Sequence, residues 1–135
     1  MNDRDQVLEA AAKLVSAFAR NDRDAYFGAF TADASLVFHT LEHPLLSRDA
    51  YQVLWDRWRA EDGFEVLSCT SNNAYVNLQG DVAIFIHDVA TQLRMQGELH
   101  FSQERETIVF RQEQQGLWLA CHEHLSAMPE GLPPP

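Results

Sequence analysis

Arg105-Glu-Thr-Ile-Val-Phe-Arg-Gln-Glu-Gln-Gln-Gly116-Leu-Trp118-Leu-Ala-Cys-His122-Glu-His124-Leu-Ser126 holds two alternating runs on either side of a short polar segment. Alternation of apolar and polar residues marks a half-buried strand, and a polar break ending in glycine between two such runs reads as an antiparallel hairpin. Side chains alternate along a strand, so His122, His124 and Ser126 share one face and Glu123 takes the other.

The same period of two extends upstream. Residues 64–78 and 82–93 read as strands joined by Gln79-Gly80-Asp81, and Met95-Gln-Gly97 turns the chain into a strand over 98–111. A bulge is expected near Asn72-Asn73. With 117–126 these runs make a four-strand meander.

Before residue 64 the period is helical. Val7, Leu8, Ala11, Val15 and Phe18 predict a helix over 3–19, capped by Asn2 or Asp3 and stopped at Asn21-Asp22. Asp22 can cap a second, shorter helix carrying Tyr26, Phe27 and Phe30. Residues 35–39 form a short strand and 40–44 a loop. Ser47 then caps a third helix, with Leu46 and Tyr51 spaced as a hydrophobic staple; Tyr51, Leu54, Trp55 and Trp58 form one stripe, and Gly63 ends it. This order predicts an α+β fold: three N-terminal helices packed in a curved, mostly antiparallel sheet. Residues 1–127 are expected to form one domain, followed by a Pro-rich tail over 128–135.

The composition is that of an ordinary globular chain, 46% hydrophobic and 22% charged in 135 residues. A formal net charge of −10, with Lys13 the one lysine, disfavours nucleic acid and anionic membrane surfaces as partners. Cys69 and Cys121 belong to no CxxC pair and sit in apolar runs, so free thiols in a reducing cytoplasm are expected. No apolar run is long enough to span a membrane. A phosphate-cradling glycine loop, GxSxG and HExxH are all absent, and no cofactor is expected.

Sorting the strands by parity puts Val82, Ile84, Ile86 and Asp88 on one face with Glu106, Ile108, Phe110, Leu119, Cys121, Glu123 and Leu125. The other face carries Phe85, His87, Val89, Thr107, Val109, Trp118, Ala120, His122 and His124. Both are too apolar to stay wet, and the helices can cover only one. A homodimer joined through the outer sheet face is the economical way to cover the second. Three acids, Asp88, Glu106 and Glu123, fall on the first face and imply a polar cavity, a buried partner or an open sheet mouth there.

Glu106-Thr-Ile-Val-Phe, Gly116-Leu-Trp118-Leu-Ala-Cys-His122-Glu-His124-Leu-Ser126 and Asn21-Asp22-Arg-Asp24-Ala-Tyr26 together resemble the SnoaL-like branch of the nuclear-transport-factor-2-like superfamily. They are also similar to the association domain of calcium/calmodulin-dependent protein kinase II. The resemblance covers roughly residues 5–127. It implies a cone with a deep pocket between sheet and helices, and a dimer across the outer sheet face. In the ketosteroid-isomerase-like members the segment resembling Ala32-Asp33-Ala-Ser-Leu-Val-Phe-His39 ends in a general-base aspartate, whose place His39 takes here. The first-helix tyrosine of those enzymes has no counterpart in this chain. The arginines of the kinase association domain are replaced by Asp88, Ile108 and Leu125, and Tyr26 is kept.

The expected pocket is mainly apolar, walled by Tyr26, Phe30, Trp55, Asp88, Ile108 and Glu123, and takes a small apolar or cyclic metabolite. One alternative is an enzyme of the isomerase or cyclase type, moving a proton on a cyclic or carbonyl substrate with His39 as base and Asp88 or Glu123 as acid. A second alternative is an interaction module working through its dimer surface. His122 and His124 have the spacing of a strand zinc pair, with His87 or Glu106 as further ligands, but the resemblance sets both on the dimer side and no metal is expected.

Overall fold

A computed structural model describes residues 2–129. Helix α1 (Asp3–Ala19) starts where the Asn2 side chain accepts from the Asp5 N–H at 2.8 Å, and it buries Val7, Ala11, Leu14 and Ala17 along one face. Asn21 then takes a left-handed backbone (φ 56°). Its amide donates to Val66 O and accepts from Val66 N–H, both at 2.8 Å, which ties the helix end to the sheet. Helix α2 (Arg23–Gly28) follows, capped by Asp22.

Strand β1 (Phe30–Phe38) begins five residues before the predicted one, so Phe30 opens a strand and does not close a helix. The reason is backbone pairing: Ala29 O accepts from Ala120 N–H at 2.8 Å, which starts a parallel ladder. Helix α3 (Arg48–Asp62) carries the expected Ser47 cap and ends at Gly63, whose φ of 63° suits a residue without Cβ. The staple is not made: Leu46 is 73% exposed, while Leu45 bridges to Leu36. Strands β2 (Glu65–Gln79), β3 (Val82–Met95), β4 (Glu98–Gln112) and β5 (Trp118–Ala127) complete a sheet of order β1-β5-β4-β3-β2. It is antiparallel except where β1 runs parallel to β5. This is the expected α+β arrangement.

Register decides which side chains look toward the helices. Met95 pairs with Glu98 across the Gln96-Gly97 turn, so odd residues of β3 stand opposite even residues of β4: Phe85 with Ile108, His87 with Glu106. The parity sorting above is therefore corrected for β3, because it ignores the turn. Asp88 pairs with Arg105 on the reverse face, and His87 occupies the inner position. In β5 the ladder shifts between Phe110–Ala120 and Val109–His122, leaving Cys121 as the extra residue. That bulge lets Trp118, Ala120 and Glu123 all point inward and be buried, and turns His122 and His124 outward beside Val109 and Thr107.

The inner face closes on α1, α2 and α3 around Trp55, Phe27, Phe30, Phe110, Leu36 and Ile108, each at most 1–2% exposed. Burying aromatic side chains of this size contributes about 1.5–3 kcal/mol each. Tail residue Met128 donates its N–H to Gln103 O, and the proline-rich remainder, 130–135, lies outside the described residues. Among the described residues no helix is long and apolar enough to cross a membrane.

Candidate functional site

Between the helices and the inner face lies a cavity of about 510 Å³. Leu14 and Phe18 of α1, Trp58 of α3, Phe64, and Val89 and Leu93 of β3 make its walls apolar. Its polar groups fall into two sets, one buried and one toward the opening.

The buried set comes from four elements. Tyr26 of α2 and Tyr51 of α3 put their hydroxyls 3.0 Å apart, both rings only 3% exposed. Burial holds both phenols well above their ordinary range, with the Tyr26–Tyr51 proximity and then Glu123 adding to it for Tyr26, and Glu123 for Tyr51. Both stay protonated at neutral pH. One hydroxyl donates to the other, so the pair keeps one O–H to offer elsewhere.

Glu123 on β5 faces them, 1% exposed. Burial raises its pKa well above the carboxylate range, and the neighbouring Glu106 carboxylate raises it further through charge and a hydrogen bond. Of the two carboxyls, Glu123 is the one that burial and its neighbour hold in the protonated form. Glu123 Oε1 has no hydrogen-bond partner among the described residues. Glu106 is held from behind: His87 Nε2 lies 2.7 Å from its Oε1, and His87 Nδ1 lies 2.6 Å from Ser71 Oγ. With a completely buried ring, His87 is a positioning group for Glu106.

The outer set is His39, Glu104 and Ser102. His39 Nε2 sits 2.6 Å from Glu104 Oε2, and the Ser102 hydroxyl donates to Glu104 Oε1 at 3.0 Å. His39 is over a third exposed in its side chain and Glu104 about a tenth. Cys69 also lines the cavity; its thiol, pushed up to about 11 chiefly by burial, is a poor nucleophile.

Of the residues expected from sequence, Tyr26, His39 and Glu123 line the cavity. Phe30, Trp55 and Ile108 do not; each is packed into the core behind it, and Trp58 supplies the tryptophan at the wall. Asp88 is a correction: it lies on the reverse face, held below the usual carboxylate range by the Asn73 amide and then by Arg105. It is therefore ionised and cannot serve as a cavity acid. His122, 2.8 Å from Ser35 Oγ through its Nδ1, and His124 lie on the opposite side of the sheet from His87 and Glu106, so these four cannot meet on one metal ion. Sequence reasoning does not place Tyr51, Glu104 or Ser102 at the site. The Gln96-Gly97 turn register is the signal that would have moved His87 inward.

No curated protein matches the chain in sequence. Among solved structures, an NTF2-like protein from Cytophaga hutchinsonii superposes with a TM-score of 0.82 at 13% identity, covering 95% of this chain and all of the other (100%). A ketosteroid isomerase-like protein from Erwinia carotovora atroseptica gives 0.78 at 17% identity, over 96% of this chain and 99% of its own. A Xanthomonas campestris protein named for the calcium/calmodulin dependent protein kinase II association domain gives 0.77 at 20%, over 96% and 91%. These likenesses show the cone-shaped α+β fold. The sequence itself matches the SnoaL-like domain over residues 7–130, nearly its whole length, and the chain belongs to that family.

Proposed function

We propose that the protein binds a small, mainly apolar molecule in this cavity, with the ligand's polar end at Glu123, Glu106 and the Tyr26–Tyr51 pair. The observation that carries the reading is the make-up of the cavity's surface: it is mainly apolar, and the buried Tyr26–Tyr51 pair and the Glu123 carboxyl are among its lining groups. That is the arrangement by which a pocket gains affinity from burial and orientation from a few polar contacts. A thermal-shift screen of apolar and cyclic metabolites tests it. A true ligand at a hundredfold excess over its Kd stabilises the fold by about 2.7 kcal/mol. If no compound of these classes raises the melting temperature, the reading falls.

A second reading is proton-transfer catalysis on a cyclic or carbonyl substrate. It is favoured by the juxtaposition, in one cavity, of a protonated carboxyl at Glu123 and a histidine–carboxylate pair at His39 and Glu104. Glu104 orients the His39 ring as the base, and the protonated carboxyl of Glu123 can donate as the acid. His39→Ala would abolish turnover in an enzyme and leave binding in a pure binder.

The reverse sheet face presents half-buried Ile84, Ile86, Val109 and Leu119 around the Asp88–Arg105 pair. We read it as the homodimer surface, since apolar strand faces of this kind are covered in stable proteins. The free thiols of Cys69 and Cys121 fit residence in a reducing cytoplasm.

A further inference from the structure

Ser71, His87 and Glu106 form a chain across the neighbouring strands β2, β3 and β4. Ser71 Oγ lies 2.6 Å from His87 Nδ1, and His87 Nε2 lies 2.7 Å from Glu106 Oε1. The Glu106 carboxylate accepts the Nε2–H, which leaves the Nδ1 lone pair to accept the Ser71 O–H. A hydroxyl bonded to an imidazole that a carboxylate orients in turn has the geometry of an activated nucleophile, whatever the order of the three in the chain. Burial is graded along it. The His87 ring is completely buried, the Glu106 side chain is 12% exposed, and Ser71 is exposed on the edge strand of the sheet. Ser71 is thereby the member that an incoming molecule meets, and it is not among the residues that line the cavity.

We propose that Ser71 is the nucleophile of an acyl-transfer site distinct from the ligand cavity, and that this site takes small neutral aryl esters. The burial of His87 sets the leaving group. Its ring reaches the Ser71 oxygen but is closed to a departing alkoxide, which it therefore does not protonate. The substrate must carry a group that departs as an anion, as an aryl oxide does readily and an alkyl alkoxide does not. A net charge of −10 disfavours acyl groups that bear a carboxylate.

In the acylation step Ser71 Oγ bonds to the ester carbonyl carbon, and its proton passes to His87 Nδ1. The bond from that carbon to the aryl oxygen breaks, and the aryl oxide leaves with the electron pair. Asn73, left-handed at φ 55°, and Ala74 stand outside the β3 register just past Ser71. Backbone N–H groups outside a ladder are the donors that the developing oxyanion needs. Water completes the hydrolysis: its oxygen bonds to the acyl carbon, the carboxylic acid leaves, and Ser71 regains a proton. His87 holds the proton taken from Ser71 until solvent removes it, so this second step is the slower one.

Stopped-flow reaction with 4-nitrophenyl acetate tests this. The parent protein should release a burst of one 4-nitrophenol per chain before a slower steady release. Mass spectrometry of the quenched protein should find the acetyl group on Ser71. The burst should slow in deuterium oxide, because a proton moves to His87 as the new bond forms. Ser71→Ala should remove the burst, and Ser126→Ala, which changes an exposed serine bonded to Arg105 O, should keep it. A burst that survives in a folded Ser71→Ala protein, an acetyl group found on Lys13 or a histidine instead, a burst indifferent to deuterium oxide, or no burst from the folded parent overturns the proposal.

Discussion

His87 Nε2 and Glu106 Oε1 lie 2.7 Å apart across β3 and β4, and the imidazole between Glu106 and Ser71 is completely buried. This pair fixes the carboxylate that, after burial, adds most to keeping Glu123 protonated. His87→Ala should therefore destabilise the fold by about 3–5 kcal/mol, because it strands a mostly buried carboxylate and opens a void. Glu106→Gln keeps an oxygen for His87 to meet and should lose only about 1 kcal/mol. Urea unfolding of the two variants measures the difference.

Glu123 makes stability fall toward alkaline pH. In the unfolded chain it ionises in the ordinary carboxylate range, while in the fold burial and Glu106 keep it protonated to a much higher pH. Between those two values the folded state binds more protons than the unfolded one, so unfolding free energy declines as pH rises. The contribution is complete below the unfolded pKa and is lost as pH climbs through the folded one. Glu123→Gln should flatten this slope and melt higher than the parent at pH 8, as read by thermal denaturation across pH 5–9.

Tyr26 and Tyr51 add a second alkaline loss, above their ordinary phenol range, where only the unfolded chain ionises. Either Tyr→Phe change removes one hydrogen-bond partner and should lower stability by about 1 kcal/mol at neutral pH. The double variant should lose less than the two single losses combined, since both remove the same bond. A double-mutant cycle by chemical denaturation checks this.

Cys69, with its thiol pushed up to about 11, should react with Ellman's reagent at pH 7.5 far more slowly than the same residue in the unfolded chain. Ligand in the cavity should slow it further, because Cys69 lines the wall. Reaction at the unfolded rate in the native protein would contradict the packing described.

The reverse sheet face yields an oligomer test. Ile86→Arg places a charge in the middle of its apolar strip without touching the cavity, and should convert a dimer to a monomer in sedimentation at micromolar concentration. A parent protein that already sediments as a monomer would refute the homodimer.

Much of this fold is legible in the chain because its local signals agree. Asn2, Ser47 and Gly63 bound two helices by capping chemistry alone, and the switch in period after Gly63 announces the sheet. The candidate site is less legible because it depends on register. Two residues between Met95 and Glu98 suffice to bring His87 inward and send Asp88 out, yet alternation read strand by strand carries no such information. The Cys121 bulge has no glycine or proline to mark it, and a cysteine suits either face. Trp55 and Phe30 look like pocket walls from their spacing, but how deep an aromatic side chain sits is a tertiary outcome.

The cavity's capacity for an apolar ligand is tested most directly with a neutral fluorescent probe, N-phenyl-1-naphthylamine. Leu125 borders the cavity on β5 and is only partly buried, so Leu125→Trp fills space there without emptying the core. The parent protein should give a saturable fluorescence increase at one probe per chain, and Leu125→Trp, at an unchanged circular dichroism spectrum, should lose it. Equal enhancement in both proteins, or none in the parent, would contradict the account.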